Sequence, residues 1–313
     1  MIIDERGYNM STERNFSKGE VIFRQGDAGN SFFKILEGSV QVIANYGEAD
    51  ERELTVLNPG EFFGEMAVIE TYPRSNTIVA ADNVRAIEIT ADELNGFFAE
   101  NPDMIYEIMN HIGSRIKTLT SEYDVLAALL KELRASQDKK SESVFAKIKK
   151  YIDFYASGKN NIDKPSAEAL REASASLKDQ KTEVLETYKK GTIIFKEGDV
   201  GKCMYIVHAG KVGIYNNYGA ANEFRTSEVE PVACFGEMEM LMEEPRETTA
   251  IVEVSDTKVE LIRPEDLENL FKTSPAKIDM ILKNLSYRLR LITYEYFKAC
   301  QEIYESTGRK DED

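Results

Sequence analysis

Two short stretches carry residue types that could do chemistry together. Residues 63–77 read FGEMAVIETYPRSNT and residues 235–249 read FGEMEMLMEEPRETT. In each, a glycine precedes a glutamate, and an arginine follows that glutamate by nine positions (Glu65 and Arg74, Glu237 and Arg246). A glycine there lets the backbone turn sharply after a strand, and Glu-Met-Ala-Val-Ile suits a single helical turn whose free N–H groups favour an anion. An arginine forks onto phosphate oxygens with two parallel hydrogen bonds, charge-assisted contacts of about 1.5–3 kcal/mol each. A glutamate would repel phosphate but accepts hydrogen bonds from sugar hydroxyls. The combination is shaped for a sugar phosphate; taken one loop at a time, an internal Glu–Arg salt bridge that tightens the loop reads equally well.

Duplication separates these readings. KGEVIFRQGDAGNSFFKILEGSVQV (18–42) lies over KGTIIFKEGDVGKCMYIVHAGKVGI (190–214). Gly19 and Gly191 stand 172 positions apart, as do Gly26 and Gly198, Gly38 and Gly210, and Gly64 and Gly236. Chance does not hold register over such a length, so the chain contains a duplicated domain. Within each copy, short β-branched or aromatic runs alternate with glycines, which predicts many short antiparallel strands in a sandwich or jelly roll.

The period then changes. After Asn101-Pro102 and Ser274-Pro275 the apolar spacing becomes helical. Ile105, Met109, Ile112, Ile116, Leu119, Tyr123, Leu126, Leu130 and Leu133 step by fours and threes, and so do Ile278, Leu282, Leu285, Leu289, Ile292, Tyr296, Ala299 and Ile303. That alternation describes a coiled-coil seam; packing on the helix's own β-domain is the competing reading. The segment between the copies is rich in Lys, Glu, Ser and Ala. Its amphipathic VFAKIKKYIDFY (144–155) suggests a helical connector, and Ser166 suits the cap of a following helix. The expected layout is α+β, with two antiparallel β-roll domains and flanking helices. They occupy 1–134 and 181–313, and a helical linker spans 135–180.

Composition narrows the class. The 313 residues carry a formal net charge of −16 and are 42% hydrophobic, enough for real cores but poorly suited to nucleic acid or anionic membrane. No apolar run reaches the ~18–20 residues of a membrane span, and the acidic MIIDERGYNMSTERN does not read as a signal peptide. Cys203, Cys234 and Cys300 are scattered, and His111 and His208 lie far apart, so neither a disulfide framework, a metal site nor a histidine-based enzyme is expected. A cytoplasmic, non-enzymatic protein without a cofactor is the simplest reading.

FGEMAVIETYPRSNT closely resembles the phosphate-binding cassette of cyclic-nucleotide-binding domains, shared by the catabolite activator protein family and the regulatory subunits of cyclic-AMP-dependent kinase. The upstream KGEVIFRQGDAGNSFFKILEGSVQV and downstream NPDMIYEIMNHIGSRIKTLTSE resemble them as well. The resemblance implies an eight-stranded roll in each half. It also implies that Glu65 binds the ribose 2′-hydroxyl and Arg74 the cyclic phosphate. Gly64 then permits the turn, the backbone from Met66 to Ala67 and from Ser75 to Asn76 completes the cradle, and Thr77 lies beside the base. Thr120 is the candidate to cover the purine, with Ser121 and Tyr123 as alternatives. The ligand is cyclic AMP or cyclic GMP. The second copy keeps Gly236, Glu237, Met238, Pro245, Arg246 and Thr249 and has Thr248 where the first has Asn76, but Glu239 and Glu247 replace the small residues Ala67 and Ser75. Those acids leave the second site silent, weak, or retuned to an uncharged ligand such as a nucleoside. The sequence has no kinase glycine loop, and the ten residues after Ile303 are too few for a helix-turn-helix. A sensor acting on an unidentified protein partner is therefore expected, the alternative being a scaffold whose pockets are vestigial or hold nucleosides. The seams pair within one chain, imitating a two-fold dimer, or between two chains.

Overall fold

The structure is a computed structural model, and it describes residues 2–3, 9–10, 12–48, 51–65, 74, 76–91, 93–135, 151, 164–177 and 185–306. A two-residue pair, β1 (Ile2–Ile3) with β2 (Asn9–Met10), precedes the first roll. That roll comprises β3 (Thr12–Phe16), β4 (Val21–Phe23), β5 (Ser31–Glu37), β6 (Val40–Ala44), β7 (Arg52–Leu57), β8 (Phe62–Phe63), β9 (Thr77–Ala80) and β10 (Val84–Thr90). They form two antiparallel four-stranded sheets, ordered β3-β10-β5-β8 and β4-β9-β6-β7. The second roll repeats the plan with β11 (Glu186–Tyr188), β12 (Ile193–Phe195), β13 (Met204–Ala209), β14 (Val212–Asn216), β15 (Phe224–Val229), β16 (Ala233–Phe235), β17 (Thr249–Val252) and β18 (Thr257–Ile262). Its sheets run β11-β18-β13-β16 and β12-β17-β14-β15. The expected pair of eight-stranded rolls is present.

Each core is assembled from the repeated positions. In the first, Phe33, Ile35, Val40, Phe63 and Ile78 are buried together, and in the second Tyr205, Val207, Val212, Phe235 and Ala250 are. Phe33 stacks on Phe63 with ring centroids 4.9 Å apart, and Tyr205 on Phe235 at 5.1 Å. Such aromatic pairs contribute about 0.5–1.5 kcal/mol beyond their area, and each ties the strand that leads into a cassette to its neighbour in the same sheet, β8 to β5 and β16 to β13.

Six described helices complete the chain: α1 (Leu94–Glu100), α2 (Asp103–Ala135), α3 (Glu168–Leu177), α4 (Glu237–Met242), α5 (Leu267–Thr273) and α6 (Pro275–Ser306). Helices α2 and α6 start where the two prolines end the preceding segments. Helix α3 begins after Ala167, whose carbonyl accepts the Arg171 N–H, so Ser166 falls one residue outside the cap position. Of the amphipathic connector only Tyr151 lies within the described residues; Val144, Ile148, Ile152 and Tyr155 lie outside them.

The chain divides into two compact units that do not follow sequence order. One comprises residues 1–97, 114–166 and 286–313; the other comprises 98–113 and 167–285. Both long helices are thereby split, and their two portions bury different stripes. In the first portions a broad face is covered: Met104, Ile105, Ile108, Met109 and Ile112 on α2, and Ile278, Met280, Ile281, Leu282 and Leu285 on α6. In the last portions the stripe narrows to a seam. There Leu126, Leu130 and Leu133 pack with Tyr296, Ala299, Cys300 and Ile303 around Tyr151, which is wholly buried. Both sequence readings of these helices therefore hold, each for a different stretch, and in the first unit the seam closes within one chain.

Helix α6 is anchored to the second roll by a buried charge cluster. Lys277 Nζ donates to both Glu260 carboxylate oxygens at 2.8 Å, and His208 Nε2 lies 2.7 Å from Glu260 Oε2. Burial alone pushes the Glu260 carboxyl up, but the bonds from His208 and Lys277 outweigh it and hold the group below its ordinary range. A carboxyl depressed on folding contributes stability above its unfolded pKa and loses it as pH falls through the folded value. Removing one partner strands the others. Lys277→Ala is thus expected to cost about 3–5 kcal/mol in urea unfolding at neutral pH. The deficit should shrink as pH falls through the folded pKa of Glu260. In the helix cluster, Leu130→Ala is expected to cost about 2–5 kcal/mol by the same measurement.

Candidate functional site

The first cassette is built around one buried guanidinium. Arg74 is 7% exposed and enters from a segment tied down on both sides: its N–H donates to the Asp27 carbonyl, and its carbonyl accepts the Gly26 N–H, each at 2.9 Å. Arg74 Nη1 donates to the Gly64 carbonyl at 2.9 Å, and Nη2 reaches Ser31 Oγ at 3.4 Å. The guanidinium lies 4.0 Å from the centroid of the Phe23 ring, an attractive cation–π arrangement in a desolvated place. Burial lowers the pKa of Arg74, and Glu65, Asp27 and Glu88 oppose that shift.

Gly64 makes this arrangement possible. Its φ is +82°, in the left-handed region, and a Cβ there would stand 2.5 Å from Arg74 Nη1. Glu65 follows it and is only 2% exposed. The Glu65 carboxylate is held by Arg115 of α2, whose Nη1 lies 2.5 Å from Oε1. Thr77 opens β9 nearby, fully within the roll, and its Oγ1 accepts the Gln25 N–H at 3.0 Å. Asn76 is described next to it, whereas Met66, Ala67 and Ser75 lie outside the described residues. Thr120 is exposed on α2, and Tyr123 packs with the helix cluster.

The second cassette is described in full, and its frame is the same. Gly236 has φ +71°, and a Cβ there would approach Arg246 Nη1 to 2.8 Å. Arg246 is 2% exposed and lies over Phe195, 4.3 Å from the ring centroid. Its N–H donates to the Asp199 carbonyl, and its own carbonyl accepts the Gly198 N–H. Glu237 is 2% exposed, and Thr249 Oγ1 accepts the Glu197 N–H at 3.1 Å, as Thr77 does in the first roll. Met238 sits on α4, and Thr248 is half-buried beside β17.

The two additional acids part company. Glu247 is exposed. Glu239 turns inward: its Oε2 accepts from Arg246 Nη1 at 3.2 Å. The other end of α4 is held by the first portion of α2. There Asn110 Nδ2 donates to the Leu241 carbonyl at 2.6 Å, and Tyr106 reaches the same oxygen at 3.4 Å. Under the guanidinium, Arg246 Nη2 donates to the Cys203 carbonyl, and the Cys203 thiol donates to the Tyr205 hydroxyl at 3.3 Å. Burial, followed by that thiol contact, pushes the Tyr205 hydroxyl up.

The sequence singled out the glycine, the glutamate and the arginine of each cassette, which the structure places in one loop, but not the side chains that support them. Phe23 and Phe195 were readable, because both sit at the same place in the repeat. Arg115 was not, since a charged residue on a long helix resembles any solvated position. Among the described residues, Cys203, Cys234 and Cys300 form no disulfide. Among the described residues no cluster of His, Cys, Asp and Glu is arranged to hold a metal ion, and no helix is long and apolar enough to cross a membrane.

Comparison with known proteins accords with this geometry. A cyclic AMP-dependent protein kinase regulatory subunit of Blastocladiella emersonii is 23% identical over 251 residues, 79% of this chain and 50% of its own length. A Toxoplasma gondii cyclic GMP-dependent protein kinase is 25% identical over 76% of this chain but only 18% of its own. A CRP-like cAMP-activated transcriptional regulator of Mycobacterium tuberculosis is 24% identical over 103 residues, 33% of this chain and 46% of its own. The chain thus spans about half or less of these relatives. Among solved structures, the Thermus thermophilus catabolite activator protein is 27% identical over 40% of this chain and 63% of its own, with a TM-score of 0.34. The regulatory domain of Toxoplasma gondii PKA with cAMP is 19% identical over 85% of each chain, with a TM-score of 0.26. The cyclic nucleotide-binding domain family matches at residues 13–101 and again at 185–274, together more than half of the sequence. With two buried Gly-Glu…Arg clamps on duplicated rolls, the chain belongs to the cyclic nucleotide-binding domain family and carries two copies of that domain.

Proposed function

We propose that this chain is a regulatory sensor whose first roll binds a cyclic nucleotide, with cyclic AMP as the first candidate and cyclic GMP as the second. The observation that carries the reading is the placement of Arg74 and Glu65 side by side on the two flanks of Gly64. One is a buried cation stacked on Phe23, the other a buried acid bonded to Arg115. A cyclic phosphate supplies an anion to Arg74 in its desolvated place, and the ribose hydroxyl supplies a donor for Glu65. Ala67 and Ser75 bring no charged side chain to the sequence of this cassette.

Output follows from the same contacts. Arg115 belongs to α2, so the acid that receives the sugar also holds this helix. A sugar hydroxyl donating to Glu65 shares the carboxylate with Arg115 and changes the strength of that tie. Binding therefore alters how firmly α2 is held in the first unit. Relatives named as kinase regulatory subunits and as transcriptional regulators suggest a protein partner that reads the helix. The scaffold alternative finds support only in the second roll, where an acid of the chain itself meets the arginine.

Calorimetric titration tests the reading. Wild-type protein is expected to bind cyclic AMP or cyclic GMP, and Arg74→Ala to weaken that binding by at least about a hundredfold, the loss of two charge-assisted bonds. Undiminished binding by Arg74→Ala would sink the reading. Arg115→Ala is expected to change affinity by only about two- to tenfold. In that variant, ligand should no longer change amide hydrogen exchange along α2 between Ser114 and Ala135. Gly64→Ala is expected to lower both stability, by about 1–2 kcal/mol in urea unfolding, and affinity, because its Cβ displaces Arg74.

A further inference from the structure

The second roll keeps the frame of the clamp and fills it from within. A guanidinium offers five N–H groups, four of them on the two Nη atoms. Arg246 Nη1 donates to the Gly236 carbonyl at 2.5 Å and to Glu239 Oε2 at 3.2 Å. Nη2 donates to the Cys203 carbonyl and lies 3.9 Å from Cys203 Sγ. The fork that would meet a phosphate is therefore taken up by the protein. Its side chain is 1% exposed, and the remaining Nε is buried without a hydrogen bond, so the site is enclosed rather than open to water.

Glu239 is positioned for this role by its surroundings. Its side chain is 15% exposed. Its carbonyl accepts the Glu244 N–H at 3.0 Å, and the Gly201 N–H donates to the Glu244 carbonyl at 3.2 Å. A Cβ on Gly201 would stand 2.6 Å from the Glu239 Cβ, so the absent side chain of residue 201 is what leaves room for the acid. Ala67, at the corresponding sequence position of the first cassette, has no charged side chain. Glu237 is buried as well, so the second cassette holds a second carboxylate besides the one that meets Arg246. A phosphodiester entering there meets an anion already in its place and must expel it.

We propose that Glu239 is a built-in counter-ion standing where a cyclic phosphate would stand, and that the second roll accordingly selects an uncharged, ribose-bearing ligand, a nucleoside, over a cyclic nucleotide. Glu237 then receives the sugar hydroxyls, as Glu65 does in the first roll, and Arg246 is neutralised without a phosphate. This assignment rests on the reading of the first cassette as a sugar-phosphate clamp.

The test isolates the second roll in an Arg74→Ala background and titrates it by calorimetry with cyclic AMP, cyclic GMP, adenosine and guanosine. With Glu239 present, one of the nucleosides is expected to bind and neither cyclic nucleotide. Adding Glu239→Ala or Glu239→Gln is expected to raise the affinity for a cyclic nucleotide by about a hundredfold, with nucleoside affinity changed far less, and a further Arg246→Ala to abolish the gain. Glu239→Gln keeps the shape of the side chain, so it guards against a fold that tolerates no truncation. Cyclic nucleotide binding by Arg74→Ala with Glu239 in place that disappears when Arg246→Ala is added would overturn the proposal. So would the absence of nucleoside binding, which needs no change at Glu239. Failure of the first-roll reading shows separately, as cyclic nucleotide binding that survives Arg74→Ala and Arg246→Ala together.

Discussion

A guanidinium taken out of water must be surrounded by acceptors, because nothing else offsets the lost hydration. Arg74 and Arg246 are such groups, and the shape of each roll follows from accommodating them. A left-handed glycine brings a carbonyl to Nη1, and an aromatic ring supplies one face. The backbone of the arginine is stitched to the loop before it at Asp27 or Asp199. The strands β8, β9, β16 and β17 carry these parts, and the stacked aromatic pairs tie β8 to β5 and β16 to β13 within one sheet of each roll. What differs between the rolls is the anion. The second has one covalently attached through Glu239; in the first we assign that part to a ligand.

Much of this was legible in the sequence, for a physical reason. Glycines with positive φ, buried arginines and core aromatics each tolerate few replacements, so a duplicated fold repeats them in register, and the repeat revealed the rolls, the clamps and the helix starts. Side-chain direction was less legible. Glu239 and Glu247 are both acids at cradle positions, yet Glu239 faces Arg246 and Glu247 faces water. The difference lies in the turn of α4 and in the space left by Gly201, and composition carries neither. Arg115 escaped for a related reason. Its significance comes only from where α2 passes Glu65, a distance of 50 positions along the chain.

The long helices show how one periodic pattern serves two packing tasks. Steps of three and four are compatible with a narrow seam and with a broad core-facing stripe, and only the intervening residues tell them apart. Met104 and Ile108, or Met280 and Ile281, widen the early stripe. Charged and polar neighbours such as Glu132 and Arg134 narrow the later one, where Arg134 meets Glu302 across an exposed margin. Such exposed pairs contribute little energy, and the apolar residues between them hold the helices together.

The division of the chain into interleaved units has a consequence for biosynthesis. The first unit draws on residues 1–97, 114–166 and 286–313, so its seam lacks Tyr296, Ala299, Cys300 and Ile303 until the whole second roll has been translated. At roughly 5–20 residues per second, the intervening segment takes on the order of ten seconds to emerge. Throughout that interval Leu126, Leu130 and Leu133 stand on a nascent chain without their partners on α6. The second unit is different: it can close as soon as residue 285 has emerged. In this molecule the half that begins first is completed last, and its exposed leucine stripe is the surface a ribosome-associated chaperone would meet.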